Sequence, residues 1–261
     1  MMRREFGAAD IRNPQTFNEK IQWLKLYDRR PMYSKAADKL AVRKYVDERI
    51  GRKYLTHLYG SYQSVRDLSG ATLPTTCALK CTHGSGMNVF ITEKNQLNRS
   101  KIRKLKRWMA TDYYRVGREW VYQGIEPRII CEELLVGDDG KAPKDFKLFC
   151  FDGKVRFIQV DVDRFGDHRR EFFEVDWRVA GFGLMYPRPN VEIARPVHLE
   201  EMISVAERLS QGIPFVRVDL YETNRVLFGE MTFYPGNGIE RFSPDEYDLL
   251  LGELLPIPAS V

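Results

Sequence analysis

The chain has little of what disulfide frameworks and metal cages are built from. Its four cysteines, Cys77, Cys81, Cys131 and Cys150, form no CxxC pair and lie in or beside apolar runs. The four histidines, His57, His83, His168 and His198, are scattered. Zinc-ligand spacing is therefore absent, no disulfide framework is expected in a chain of 261 residues, and the thiols read as reduced, small core hydrophobes. No Ser/His/Asp order presents itself either. No apolar run approaches the ~18 residues of a membrane span, and the opening MMRREFGAADIRN has no signal-peptide core. A soluble, cytoplasmic protein with no transmembrane segment is the expectation.

Charge of one sign is also scarce. Lys and Arg number 41 against 36 Asp and Glu, a net charge of +5. That excess suits anionic small molecules or polymers and is too weak to point to nucleic acid, so no nucleic-acid partner is expected. What is present is 43% hydrophobic and 30% charged residues, enough for a sizeable core and incompatible with wholesale disorder. At ~100–200 residues per domain the length allows one large or two small domains.

Hydrophobic spacing predicts helices first and strands later. Thr16 or Asn18 caps a segment in which Phe17, Ile21, Leu24 and Tyr27 recur at helical intervals, and a second helix is predicted from Ser34 to Arg49, stopped by Gly51. From Thr75 the period changes: Thr75–Cys81 reads as a strand, His83-Gly84-Ser85-Gly86 as a turn, and Asn88–Thr92 as the returning strand. A helix over Arg99–Tyr114 follows, then an apolar run over Arg128–Leu135. Phe146–Phe151 and Val155–Val162 flank Asp152-Gly153, a strong hairpin signal. Phe215–Leu220 and Val226–Phe233 form a second hairpin, after a helix over Leu199–Gln211. Interleaved helices and antiparallel hairpins favour an α+β fold over a doubly wound parallel sheet.

Four constellations can carry chemistry. Lys80 ends a strand and precedes the glycine-rich turn, an arrangement suited to a polyphosphate because glycine lets backbone N–H groups approach the oxygens while the ammonium supplies charge. It is not a Walker loop, since the lysine precedes the glycines, and a plain hairpin turn has the same composition. Strand alternation puts Arg217 and Asp219 on one face, and Glu230 and Thr232 on one face of the returning strand. Asp219 and Glu230 then lie directly or diagonally opposite, where two like charges favour a cation such as Mg2+, unless solvent or basic side chains neutralise them. Lys147 alternates against Phe146 and Leu148, so it meets either a phosphate or solvent, with Arg164 following the hairpin partner. Glu132-Glu133 closes an apolar run ahead of Leu134-Leu135, a stretch whose backbone can hold a purine. The basic run Arg99, Lys101, Arg103, Lys104, Lys106 and Arg107 reads as charge spread round a solvated helix, with contact to an anionic polymer or lipid headgroups as the alternative.

Taken in order, these segments resemble the TupA-like branch of the ATP-grasp superfamily, associated with teichuronopeptide and other bacterial surface-polysaccharide biosynthesis. The likeness rests on Asn13–Leu24 (NPQTFNEKIQWL), Ala37–Val46 (ADKLAVRKYV), Leu79–Gly86 (LKCTHGSG), Asp145–Lys154 (DFKLFCFDGK) and Gly229–Pro235 (GEMTFYP). It implies an ATP-grasp fold of two α+β subdomains with the nucleotide held between antiparallel sheets. The expected divisions are a helical segment over 1–74, a small subdomain with a phosphate lid over 75–136, and a large subdomain with the metal site over 137–261. The resemblance makes ATP and Mg2+ the cofactors. Lys80 would contact α/β-phosphates, with His83, Gly84, Ser85 and Gly86 in the lid. Glu132, Glu133, Leu134 and Leu135 would form the hinge that reads adenine. Lys147 and Arg164 would lie near the γ-phosphate or acyl phosphate, and Arg217 beside the transferred group. Asp219 and Glu230 would hold the metal, with Thr232 where related ligases carry Asn. The implied reaction is a ligation: a small-molecule or sugar-linked carboxylate is activated as an acyl phosphate and joined to an amine. A sugar kinase, a polysaccharide-cluster glycosyltransferase and a non-catalytic ATP-binding module are the alternatives, the second without a D-x-D on a strand-to-loop edge, since Asp161-Val162-Asp163 reads as strand.

Overall fold

The structure, a computed structural model, describes residues 10–137, 140, 142–163 and 166–258. It divides into two compact units, one discontinuous (Met1–Arg29 with Pro143–Val261) and one continuous (Arg30–Ala142). The helical segment expected over 1–74 is thus shared between the units, and the chain passes from one to the other near residue 30 rather than residue 75.

The discontinuous unit begins with helix α1 (Phe17–Tyr27). Thr16 and Glu19 form a capping box at its start, satisfying N–H groups that a helix terminus otherwise leaves open. The first apolar residue, Phe17, meets the rings of Phe151, Phe215 and Phe242 at 5.0–5.9 Å, which ties the helix to the sheet core.

In the continuous unit the helix predicted over Ser34–Arg49 is two helices, α2 (Pro31–Ala37) and α3 (Val42–Ile50). Asp38 causes the break: its carboxylate accepts the N–H groups of Leu40 and Ala41, an alternative to helical bonding that short acidic side chains offer. Gly51 ends α3 with φ +99°, as the sequence predicts. There follow β1 (Leu58–Tyr62), α4 (Val65–Ser69), the hairpin β2 (Cys77–Cys81) and β3 (Asn88–Ile91), α5 (Arg99–Met109), the short α6 (Tyr114–Gly117) and β4 (Ile129–Glu132). The predicted Arg99–Tyr114 helix ends early because the Thr111 hydroxyl and N–H turn back onto the Arg107 and Trp108 carbonyls. The strands make an antiparallel sheet in the order β1-β4-β2-β3. Cys77, Leu79, Cys81, Val89, Ile91, Ile129 and Cys131 cover one face, and Leu105 of α5 packs into the same cluster.

The rest of the discontinuous unit contains β5 (Asp145–Phe151), β6 (Lys154–Val162), β7 (Arg169–Glu174), β8 (Gly183–Leu184), α7 (Leu199–Ser210), β9 (Phe215–Glu222), β10 (Val226–Thr232), β11 (Phe242–Ser243) and α8 (Glu246–Leu254). Five strands pair antiparallel in the order β10-β9-β5-β6-β7. Both predicted hairpins are present. Sequence periodicity did not single out β1, β7 or α8, because charged residues flank the two apolar positions at the centre of β7 and α8 reads LLL rather than a spaced stripe.

Candidate functional site

In the continuous unit, alternation along β2 turns Leu79 and Cys81 into the core and Lys80 to the other face. The Lys80 ammonium lies 2.9 Å from Glu132 Oε2, and Arg43 of α3 reaches the other carboxylate oxygen at 2.6 Å. Arg43 is itself fixed by Thr56, donating to its carbonyl at 2.6 Å and its hydroxyl at 3.3 Å. The Glu132 side chain is 7% exposed, so its carboxylate is largely removed from water and is met there by a cation on each oxygen. Glu133 accepts from the His57 N–H through its carboxylate and donates its own N–H to the His57 carbonyl. Leu134 and Leu135 continue beyond the strand, half-buried, and no hydrogen bond among the described residues engages their backbone.

The turn after Lys80 is held at its first half. The carbonyl of Gly84 accepts from Lys39 at 2.8 Å, and a Cβ at Gly84 would lie 2.6 Å from the Tyr113 ring, so only glycine fits. His83 is buried, its Nε2 is 3.1 Å from the Trp108 carbonyl, and burial pulls its pKa down. Its ring therefore belongs to the packing of the unit, and the turn offers a ligand its backbone rather than an imidazole. Ser85 and Gly86 are exposed, and no acceptor among the described residues engages the N–H groups from His83 to Gly86. Such a run of open N–H groups beside an ammonium fits phosphate oxygens.

In the discontinuous unit the polar residues gather on one face of the five-stranded sheet. Glu230 of β10 stands directly opposite Asp219 of β9, and Thr232 opposite Arg217. A bulge between Phe228 and Glu230 makes this register: Phe228 still pairs with Leu220, and the extra residue, Gly229, turns Glu230 to the opposite face. Arg217 bonds both oxygens of Asp219 at 2.7 Å, the Thr232 hydroxyl at 3.2 Å, and lies 3.6 Å from Glu230. Burial works against the Arg217 charge, yet Asp219, Glu230 and Glu240 raise its pKa above the ordinary value. For Asp219 burial is the larger influence and pushes its carboxyl up, against Arg217 and Lys147.

Across β9, Asp219 pairs in register with Lys147 of β5. Lys147 is not on a solvated face: its side chain is 4% exposed and lies among the carboxylates of Asp145, Asp161 and Asp219, bonded to the first and 3.6 and 4.0 Å from the others. Asp161 of β6 accepts from Arg170 of β7 at 2.7 Å and from Gln159, with His168 at 3.2 Å. Burial opposes its charge, but Arg170, Lys147 and His168 hold it well below the usual carboxylate range. Glu240, 3.7 Å from Arg170, is pushed up by burial. Asp163 follows the end of β6 and accepts from the Asp167 N–H at 3.0 Å. Arg164 lies outside the described residues.

Among the described residues no group of three His, Cys, Asp or Glu is spaced to hold a metal. The oxygen donors of Asp219, Glu230 and Thr232 nevertheless fit Mg2+, which takes one or two carboxylates and completes its shell with phosphate oxygens and water. Acids also outnumber bases here: Asp145, Asp161, Asp219, Glu230 and Glu240 face Lys147, Arg170 and Arg217. Of these residues, sequence reasoning missed Arg43, Asp161, Arg170 and Glu240 as contributors. Alternation along β6 puts Asp161 on the face of Gln159, the residue opposite Lys147, and was the signal that could have found it.

Two units, each with helices and an antiparallel sheet, make an α+β architecture. The model of the TupA-like ATP-grasp family matches residues 19–256, and the chain belongs to that family. Among solved structures the chain is similar to an L-amino acid ligase from Bacillus licheniformis (13% identity, TM-score 0.49, covering 91% of this chain and 54% of that one). It is also similar to the ADP complex of PurK, an N5-carboxyaminoimidazole ribonucleotide synthetase (12%, 0.46, 82% and 50%). A third is the ATP-grasp ligase PsnB with a precursor variant, Mg and ADP (13%, 0.41, 78% and 52%). The chain spans about half the length of these proteins. No curated protein matches the chain.

Proposed function

We propose that this chain is an ATP-dependent ligase that activates a carboxylate and joins it to an amine, acting on a sugar or uronic acid of a bacterial surface polysaccharide. The observation that carries the reading is the Asp219–Glu230 pair, set face to face by a bulge with Arg217 against both. Family membership supports ATP as the donor, and the acceptor is taken from the association of the TupA-like branch with surface-polysaccharide biosynthesis. ATP would supply a phosphoryl group that makes the carboxylate susceptible to the amine. Asp219, Glu230 and Thr232 would hold Mg2+. Lys80 and the open N–H groups of His83–Gly86 would bind phosphates, and the backbone of Leu134 and Leu135 the base. Lys147 and Arg217 are oriented by the acids around them, so their positive charge is in place before any phosphoryl group arrives and needs no reorganisation.

Glu230→Gln is expected to abolish ATP turnover while the thermal melt stays near that of the parent, and Lys80→Ala to weaken Mg-ATP binding by calorimetry. Near-normal turnover in the first variant would remove Glu230 from the metal site. ADP release separates the acceptor chemistries: a ligase needs both acid and amine, a kinase only the acceptor, and a binding module responds to neither.

An anionic polymer is proposed as a further partner of α5. Arg99, Arg103, Lys106 and Arg107 do not spread round the helix: at 3.6 residues per turn they fall within an arc of about 100°. They enter no ion pair among the described residues, while Lys101 is turned away onto the carbonyls of Phe90, Asn95 and Gln96. Arg99, Arg103 and Arg107 recur every four residues, a row that suits a linear chain of carboxylates. Binding to polygalacturonate should fall with salt and be lost in an Arg99/Arg103/Arg107→Gln variant; equal binding by that variant would exclude the surface.

A further inference from the structure

We propose that Arg43 is a positioning residue for the nucleotide: it stays paired with Glu132 so that Lys80 can swing its ammonium from that carboxylate to a phosphate. The inference rests on the reading above that Lys80 binds ATP.

Glu132 has one cation on each oxygen, Arg43 at 2.6 Å and Lys80 at 2.9 Å. The two cations differ in how they are held. Arg43 is locked from behind by two bonds to Thr56, from a residue in the first turn of α3. Lys80 stands at the end of β2 beside the exposed part of the glycine turn, its side chain 20% exposed, with a flexible stem and Glu132 as its only ion-pair neighbour among the described residues.

A lysine that binds phosphate must leave a carboxylate it is bonded to, or share itself between the two. Were Lys80 the sole cation on Glu132, its departure would strand a buried negative charge, and that penalty would be subtracted from the affinity for the nucleotide. With Arg43 fixed on the second oxygen, Glu132 remains neutralised whichever way Lys80 points. Arg43 would thus set how strongly Lys80 is retained, without itself touching the nucleotide. The pairing joins residues 89 apart in the chain, so it links the helical segment ADKLAVRKYV to the phosphate hairpin.

Calorimetry of Mg-ATP with the parent and its purified variants tests this. Arg43→Met should weaken binding at least tenfold, whereas Arg43→Lys, which keeps the charge, should recover most of it. The double variant Arg43→Met/Glu132→Gln should return to within about threefold of the parent, because a neutral amide no longer retains Lys80. A merely structural role for Arg43 would leave the double variant as weak as the single one, and that result, or an unchanged affinity in Arg43→Met, overturns the proposal. If Arg43→Met does not fold, Arg43→Gln takes its place: a loss of at least tenfold supports the proposal, and an unchanged affinity overturns it. Lys80→Ala separates this inference from its premise. Unchanged affinity there refutes the site assignment itself, whereas a loss there with none in Arg43→Met refutes only the role of Arg43.

Discussion

Replacing Gly229 by alanine would act on the proposed metal pair without changing any charged group. A Cβ at this position would lie 2.9 Å from the Asp219 carbonyl oxygen and 3.0 Å from the Tyr221 ring, closer than real Cβ atoms approach backbone. Asp219 is the residue that faces Glu230, so the strain falls on the pairing itself. Two relaxations are available. Strands β9 and β10 can spread locally, or the bulge can be lost, and regular pairing would then set Glu230 against Val218 and move its side chain to the other face. Overpacking of this kind costs about 1–3 kcal/mol. At about 2–4 °C per kcal/mol for a chain of this size, the melting temperature should fall by roughly 2–12 °C. The functional effect should exceed the thermal one. With one carboxylate displaced, affinity for Mg-ATP should drop at least tenfold, about 1.4 kcal/mol, while binding of ATP in EDTA changes little. A thermal melt and two calorimetric titrations, with and without Mg2+, read both effects. An alanine variant that melts with the parent and binds Mg-ATP equally well would refute the argument that the bulge builds the metal pair.

Burial works against the charge of Glu19, but N–H donations from Gln15, Thr16 and Asp10 outweigh it and hold its pKa below the ordinary 4.5. Its contribution is therefore present above that value and lost as pH falls through the lowered one. Glu19→Gln should cost about 1 kcal/mol in urea unfolding at pH 7, and the gap should narrow as the pH falls through the lowered value; a gap that stays constant into strong acid would contradict the capping role. Burial raises the thiols, Cys81 to about 11 and Cys131 and Cys150 to about 12. All three should resist a disulfide reagent at pH 8 in the folded protein and react only after denaturation; stoichiometric labelling of the native protein would contradict this. Lys20 donates to the carbonyls of Gly252 and Leu255 at 2.8 and 2.9 Å, closing the end of α8, so Lys20→Met should lower stability by about 1 kcal/mol.

Much of what matters was written locally. Thr16 and Glu19 announce the capping box, Asp152-Gly153 the β5–β6 hairpin, and the alternation of Arg217 with Asp219 and of Glu230 with Thr232 the polar face of the β9–β10 ribbon. These features depend on neighbours within a few residues, where side-chain period and turn chemistry dominate. Asp38 was also local but misread, since the helical pattern around it is continuous and only its side-chain bonds to Leu40 and Ala41 break the helix.

The tertiary structure decided what required a second strand or a distant segment. Sequence allowed Asp219 and Glu230 to be direct or diagonal neighbours; one extra residue at Gly229 made them direct. Lys147 could have faced water, but strands on both sides bury it among Asp145, Asp161 and Asp219. The pairings of Arg43 with Glu132 and of Asp161 with Arg170 carry no mark in their own segments, because each follows from strand order and helix docking. Periodicity specifies which face a side chain takes, whereas the charges it meets there are set by packing, and in this protein the proposed chemistry depends on both.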